Sequence, residues 1–148
     1  MNKKNLLLIS LFFGMLISVN AQETFRLPSN YGQSILQRTG TWELRGFDVR
    51  EWRANLVIVS VDNYVLHGYF DWYAESSQSS GREYFIGIYD ENARSITLKG
   101  IYLENAIGAL ASSTIYEALV SNDGRVFSSG FWFGRYTEPG TWEAIWIK

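Results

Sequence analysis

The residues best able to do chemistry in this chain are few. They are a lone histidine, His67, the acidic cluster Asp90-Glu91-Asn92, and two glutamates in a repeated tetrapeptide, Gly40-Thr41-Trp42-Glu43 and Gly140-Thr141-Trp142-Glu143. Paired glutamates could act as acid and base on a glycoside, which needs carboxyls about 5–9 Å apart. Strand alternation turns Glu43 and Glu143 outward, at opposite ends of the fold. His67 is out of phase with Leu66, Gly68 and Phe70 and should face solvent, like Asp71. A Ser-His-Asp set would need a nucleophile signature that is missing. One histidine without cysteines cannot supply three metal ligands, and Asp90-Glu91-Asn92 lacks calcium-loop spacing and reads as a turn. No enzyme, metal or cofactor is expected, so binding residues are sought among the aromatics.

The chain's ends and charge bound where it works. Lys3 and Lys4 precede an apolar run from Leu6 to Val19, and Val19-Asn20-Ala21 offers small residues for cleavage. This is the pattern of a signal peptide over residues 1–21, with export to the periplasm or outside. The run is short for a membrane span, so the mature chain is expected to have none. Cleavage leaves 127 residues with 11 basic and 15 acidic side chains, net −4. Scattered arginines on an acidic chain argue against nucleic acid as a partner. The absence of cysteine excludes disulfides and thiolate metal sites.

What must position the aromatics is an all-β scaffold. Glycine is frequent, proline occurs twice, and short alternating runs recur between turn residues. Strands are expected at about 39–47, 54–61, 64–73, 83–90, 94–103, 114–121, 125–133 and 140–147. Residues 22–38 form a lead-in to a domain spanning 39–148. Asp62-Asn63 and Asn122-Asp123-Gly124 read as hairpin turns. Glu75 to Gly81 reads as a mobile loop, and Glu104 to Ser113 as the longest loop, able to hold a helical turn over one mouth. Short links make successive strands antiparallel neighbours, and an even strand number lets the last close on the first. The fold class expected is an eight-stranded antiparallel up-and-down barrel.

Four strands share an apolar-x-Gly-x-aromatic arrangement or a close relative: Leu66-x-Gly68-x-Phe70-x-Trp72, Phe85-x-Gly87-x-Tyr89, Leu98-x-Gly100-x-Tyr102 and Ser128-x-Gly130-x-Trp132. A strand glycine weakens the strand and needs a reason. Either an aromatic from a neighbouring strand lies over it, or it marks a bulge at a barrel corner. Each tetrapeptide repeat is expected to open a strand with its tryptophan inward. Trp42 should then cap one end near Trp146, with Trp142 towards the other.

The Gly40-Thr41-Trp42 opening, followed by a hairpin meander to the Gly140-Thr141-Trp142 strand, resembles the calycin superfamily of lipocalins, fatty-acid binders and avidins. It looks like the small lipocalin-like and avidin-like domains of exported bacterial proteins over residues 39 to 148. The chain departs from lipocalins in ending on its last strand, without their C-terminal helix. The resemblance implies a barrel and no particular ligand.

Two functions of different classes follow. The first is binding of a small, mainly apolar or aromatic ligand at one barrel mouth, lined by Trp42, Trp72, Tyr89, Tyr102, Trp132 and Trp142. Tyrosine hydroxyls and indole N–H groups would serve the ligand's polar groups. The second is a filled barrel that docks a protein or a second copy through an outward apolar face. That face comprises Val57, Val59, Tyr69, Tyr73, Ile86 and Ile88, with Val61 and Val65 in the same phase. The run Asn55-Leu56-Val57-Ile58-Val59-Ser60-Val61 is apolar in both phases and can be read either way. A third reading, a carbohydrate-binding module, rests on Trp52, Phe131, Phe133 and Tyr136 as rim aromatics.

Overall fold

Alternating apolar residues, turn residues between them and short links produce one closed sheet. The structure, a computed structural model, describes residues 39–74 and 78–148. The leader expected over 1–21 and the lead-in over 22–38 lie outside the described residues. The strands are β1 (Gly40–Phe47), β2 (Glu51–Asp62), β3 (Val65–Ala74), β4 (Ser79–Asp90), β5 (Ser95–Ile107), β6 (Ile115–Val120), β7 (Val126–Gly134) and β8 (Thr137–Trp146). Each pairs antiparallel with the next, and β8 returns to β1, so the eight form a closed meander barrel. This is the expected fold class, and it is consistent with a calycin-like fold. Among the described residues no helix is long and apolar enough to cross a membrane.

Several boundaries differ from expectation. The tight hairpin after β2 turns on Asn63 and Tyr64, both at positive φ (46° and 70°), one residue later than expected. β4 begins at Ser79, so Ser79 to Gly81 are strand rather than loop. β5 runs on to Ile107, which reduces the longest loop to residues 108–114, without a helical turn. The second tetrapeptide lies inside β8, so Gly140 does not open its strand. Glu43 and Glu143 are not at opposite ends. Arg45 faces Glu143 across the β1–β8 ladder and stands 3.7 Å from the carboxylate of Glu43, on the outer surface.

Bulges decide which side chains enter the barrel. In β2, Ala54, Leu56 and Ile58 point inward, and a register shift between Ile58 and Ser60 then reverses the phase. Val57 and Val59 therefore face outward, whereas Val61 packs against the core. In β7 a shift between Phe127 and Gly130 puts Ser128 outside and Trp132 inside. In β5 the shift lies between the pairs Phe85–Gly100 and Tyr84–Tyr102. It carries Tyr102 outward, 60% exposed. Tyr102 is thus not a barrel-lining residue, because the inserted residue breaks the period of two.

The glycines make room for neighbouring side chains. The Trp132 ring occupies the space that side chains at Gly46 and Gly140 would fill, and Trp142 lies over Gly130. A Cβ on Gly140 would sit 2.5 Å from the carbonyl oxygen of Phe47, besides meeting the Trp132 ring. Backbone cannot yield cheaply, so Gly140→Ala is expected to destabilise the domain by about 2–3 kcal/mol. Urea unfolding followed by circular dichroism measures this, and an unchanged midpoint would mean that Trp132 packs elsewhere.

Candidate functional site

The barrel is filled at one end and hollow at the other. At the filled end Trp42 stacks on Phe127 at 5.1 Å and faces Trp146 across the ladder, with Tyr89 buried on β4. Midway, Phe70 contacts Phe85, Trp72 and Tyr116 at 5.0, 5.2 and 4.6 Å between ring centroids. Above this layer a pocket of about 360 Å³ opens. Trp52, Trp72, Tyr116, Trp132 and Glu83 line it, with Asp48 and Arg50 from the β1–β2 loop. Ala109 to Ala111 from the β5–β6 loop and Tyr136 to Glu138 around the β7–β8 turn complete its rim.

Glu83 is the chemical centre of this site. It continues the inward phase of Phe85, Gly87 and Tyr89 and is 1% exposed. Its Oε2 accepts two hydrogen bonds, from the Trp72 indole at 3.1 Å and from the Tyr116 hydroxyl at 2.6 Å. Tyr116 stands on β6, beyond β5, and the carboxyl reaches it because Gly100 has no side chain. A Cβ there would fall 2.8 Å from the carboxyl carbon. Glu83 Oε1 has no hydrogen-bond partner among the described residues. Burial pushes the carboxyl up to about 7, against the opposing pull of the Tyr116 and Trp72 bonds. Burial, and then the neighbouring Glu83, raises Tyr116 well above the ordinary tyrosine value. A carboxyl poised near neutrality can exchange a proton or receive a donor or cation from a ligand.

Most donors around Glu83 are engaged within the protein, but among the described residues Arg50 Nε is buried without a hydrogen-bond partner. Trp52 donates its indole N–H to Asp48 Oδ2 at 2.9 Å, and Trp132 donates to the Glu138 carbonyl at 2.9 Å. The Thr114 and Thr137 hydroxyls bond each other at 2.7 Å. Arg50 lies over the Trp52 ring at 5.1 Å, and its Nε is 3.7 Å from Asp48 Oδ1. The Asp48 side chain is only 4% exposed, and it also accepts from the Arg50 amide at 2.7 Å. Trp52, Trp72, Trp132 and Tyr116 thus donate within the protein.

The chain matches no family model, no curated protein and no solved structure. The site must be read from its own geometry. Of the residues expected to line a ligand, Trp72 and Trp132 are in the pocket wall. Trp42 and Tyr89 are buried at the filled end, away from it. Trp142 belongs to the core between, its ring 6.4 Å from Tyr116 and 6.2 Å from Phe127. Tyr102 is outside. Trp52, expected in a loop, is a strand residue in phase with Ala54. Among the described residues no three histidine, cysteine or carboxylate side chains are grouped to hold a metal.

Of the outer face expected on β2–β4, Val57, Val59, Tyr69, Tyr73, Ile86 and Ile88 point outward, whereas Val61 packs against the core. Val59 and Ile88 are 57% and 62% exposed, Tyr73 and Ile86 are exposed, and Val57 and Tyr69 are half-buried there. Tyr69, Tyr84 and Tyr102 form an aromatic ladder across three strands, at 5.9 and 6.0 Å. Arg82 lies 4.0 Å from the Tyr69 ring centre and pairs with Asp71 at 2.6 Å.

Proposed function

We propose that this chain is an exported, calycin-like binding protein that holds a small, mainly aromatic ligand at the Trp52–Trp72–Trp132 mouth. The observation that carries the reading is the asymmetry of the barrel. Aromatic side chains fill one end, while the other keeps about 360 Å³ walled by Trp52, Trp72, Tyr116 and Trp132. That volume lies in the range of small-molecule sites, which combine aromatic walls with placed polar groups. The basic-then-apolar leader supports export.

A second reading draws on the exposed valines, isoleucines and tyrosines of β2 to β5, which suit a second copy of the chain or a protein partner. One measurement separates the two. In a native mass spectrum of the protein purified from a bacterial host, the pocket reading expects a reproducible added mass that denaturation removes. An apo protein whose tryptophan emission no aromatic small molecule alters would sink it. A dimer in the same spectrum, lost on combining V59K with I86K, would favour the outer face.

A further inference from the structure

The pocket wall has members of two kinds. Trp52, Trp72, Glu83, Tyr116 and Trp132 stand on β2, β3, β4, β6 and β7, each within a paired strand. The three indole N–H groups and the Tyr116 hydroxyl also donate within the barrel. None of these side chains can shift far without disturbing a ladder or a bond. Ala109, Leu110 and Ala111 belong instead to the β5–β6 link, residues 108–114, the longest link described. Residues 108–113 take no part in the ladders on either side. A connection of this kind opens at lower free energy than the strands it joins.

Leu110 is the one bulky side chain that this link brings to the pocket. Among the described lining residues it is the only aliphatic larger than alanine. It is half-buried and packs against the core. Its seat is made by a missing side chain, since a Cβ on Gly81 would stand 3.0 Å from Leu110 Cδ1 and 2.8 Å from Ala106 Cα. The link is fastened on either side of Leu110. The Ala109 amide donates to Ser79 Oγ at 3.0 Å, and the Thr114 hydroxyl donates to the Ala111 carbonyl at 3.2 Å. Gly108, at φ 80°, turns the chain across Ser79, where a Cβ would collide with the serine hydroxyl.

We infer that Leu110 is the specificity-determining residue of the pocket, a plug on the β5–β6 link that fixes how large a ligand the strand-borne wall admits. This rests on the pocket reading above and deepens it. An aliphatic side chain offers no hydrogen bond, so it discriminates by size and shape whatever the charge of the ligand. A ligand too long for the cavity must push Leu110 off its seat against Gly81, and the packing lost there weakens its binding. Trimming Leu110 enlarges the cavity at the link and leaves Trp52, Trp72, Tyr116 and Trp132 on their strands.

The test compares two uncharged probes that share a head group, benzyl alcohol and 2-naphthalenemethanol. Both are titrated into the unaltered protein, L110A and L110F by calorimetry, beside tryptophan emission on the same samples. The quantity read is the ratio of the two affinities. L110A should raise the preference for the naphthyl probe about tenfold, and L110F should lower it by a similar factor. Loss of folding would weaken both probes together and could not move the ratio in opposite directions. Naphthyl binding seen in L110A alone would support the plug equally. A ratio that neither substitution moves, or that both move the same way, would overturn the role of Leu110 and leave the pocket standing. Failure of both probes to bind any of the three proteins or to change their emission would overturn the pocket reading as well.

Discussion

Replacing Glu83 with glutamine is expected to raise the stability of the domain above neutral pH and to leave it nearly unchanged in acid. In the folded chain the carboxyl is held at about 7, against an ordinary value of 4.5, because burial outweighs the two hydrogen bonds that favour the anion. Between those values the folded chain keeps a proton that the unfolded chain has released. The stability conferred by the neutral carboxyl is therefore fully present below about 4.5 and is lost as pH rises through about 7. The full difference is on the order of 3 kcal/mol, or on the order of 10 °C in midpoint for a domain of this size. Glutamine cannot ionise, and its oxygen can accept the same bonds from Trp72 and Tyr116. The midpoint of E83Q minus that of the unaltered protein should thus grow with pH, levelling off near pH 8. A difference that stays flat from about pH 4 to pH 8 would mean that Glu83 is not held neutral by the barrel. Y116F, which removes a donor that favours the anion, should move the change to higher pH.

That Glu83 is central also shows what a period of two can and cannot reveal. Its inward phase was legible, since Glu83-x-Phe85-x-Gly87-x-Tyr89 alternates without a break. What was not legible is why a carboxyl should be tolerated there. Its two donors stand 11 and 33 residues away on β3 and β6, and the opening that admits it is the missing side chain of Gly100 on β5. No local pattern announces a network assembled from four strands.

Closure of the barrel was legible for the opposite reason. Short turns and an even strand count are local properties that leave few topologies. The errors cluster where one residue is inserted. The shift in β5 turned Tyr102 out, and that in β2 returned Val61 to the core. A bulge changes the phase of everything beyond it, while the composition on either side stays the same. Trp52 falls between the expected first two strands, because no glycine-proline pair in Arg45 to Trp52 marks how short the turn is. The turn instead depends on Asp48, which accepts from the Arg50 amide and the Trp52 indole.

Trp132→Ala should be the most costly single truncation in the pocket wall. The side chain is buried, its ring occupies the notches left by Gly46 and Gly140, and its N–H satisfies the Glu138 carbonyl. Removing it leaves a void that neither glycine can fill and a carbonyl without its donor, so a loss of about 3–5 kcal/mol is expected in urea unfolding. Because this void adjoins the pocket, it should admit a replacement. Added indole is expected to restore part of the lost stability in a concentration-dependent way, since a ligand bound only to the folded state stabilises it by mass action. Trp146→Ala offers the contrast. Trp146 is half-buried at the opposite end, far from the pocket, and its truncation should cost less and show no rescue. A loss below about 1 kcal/mol for Trp132→Ala would place the ring at the rim rather than in the wall. A large loss that indole cannot reverse would mean that the barrel collapses into the space, so that the hollow end depends on this one ring.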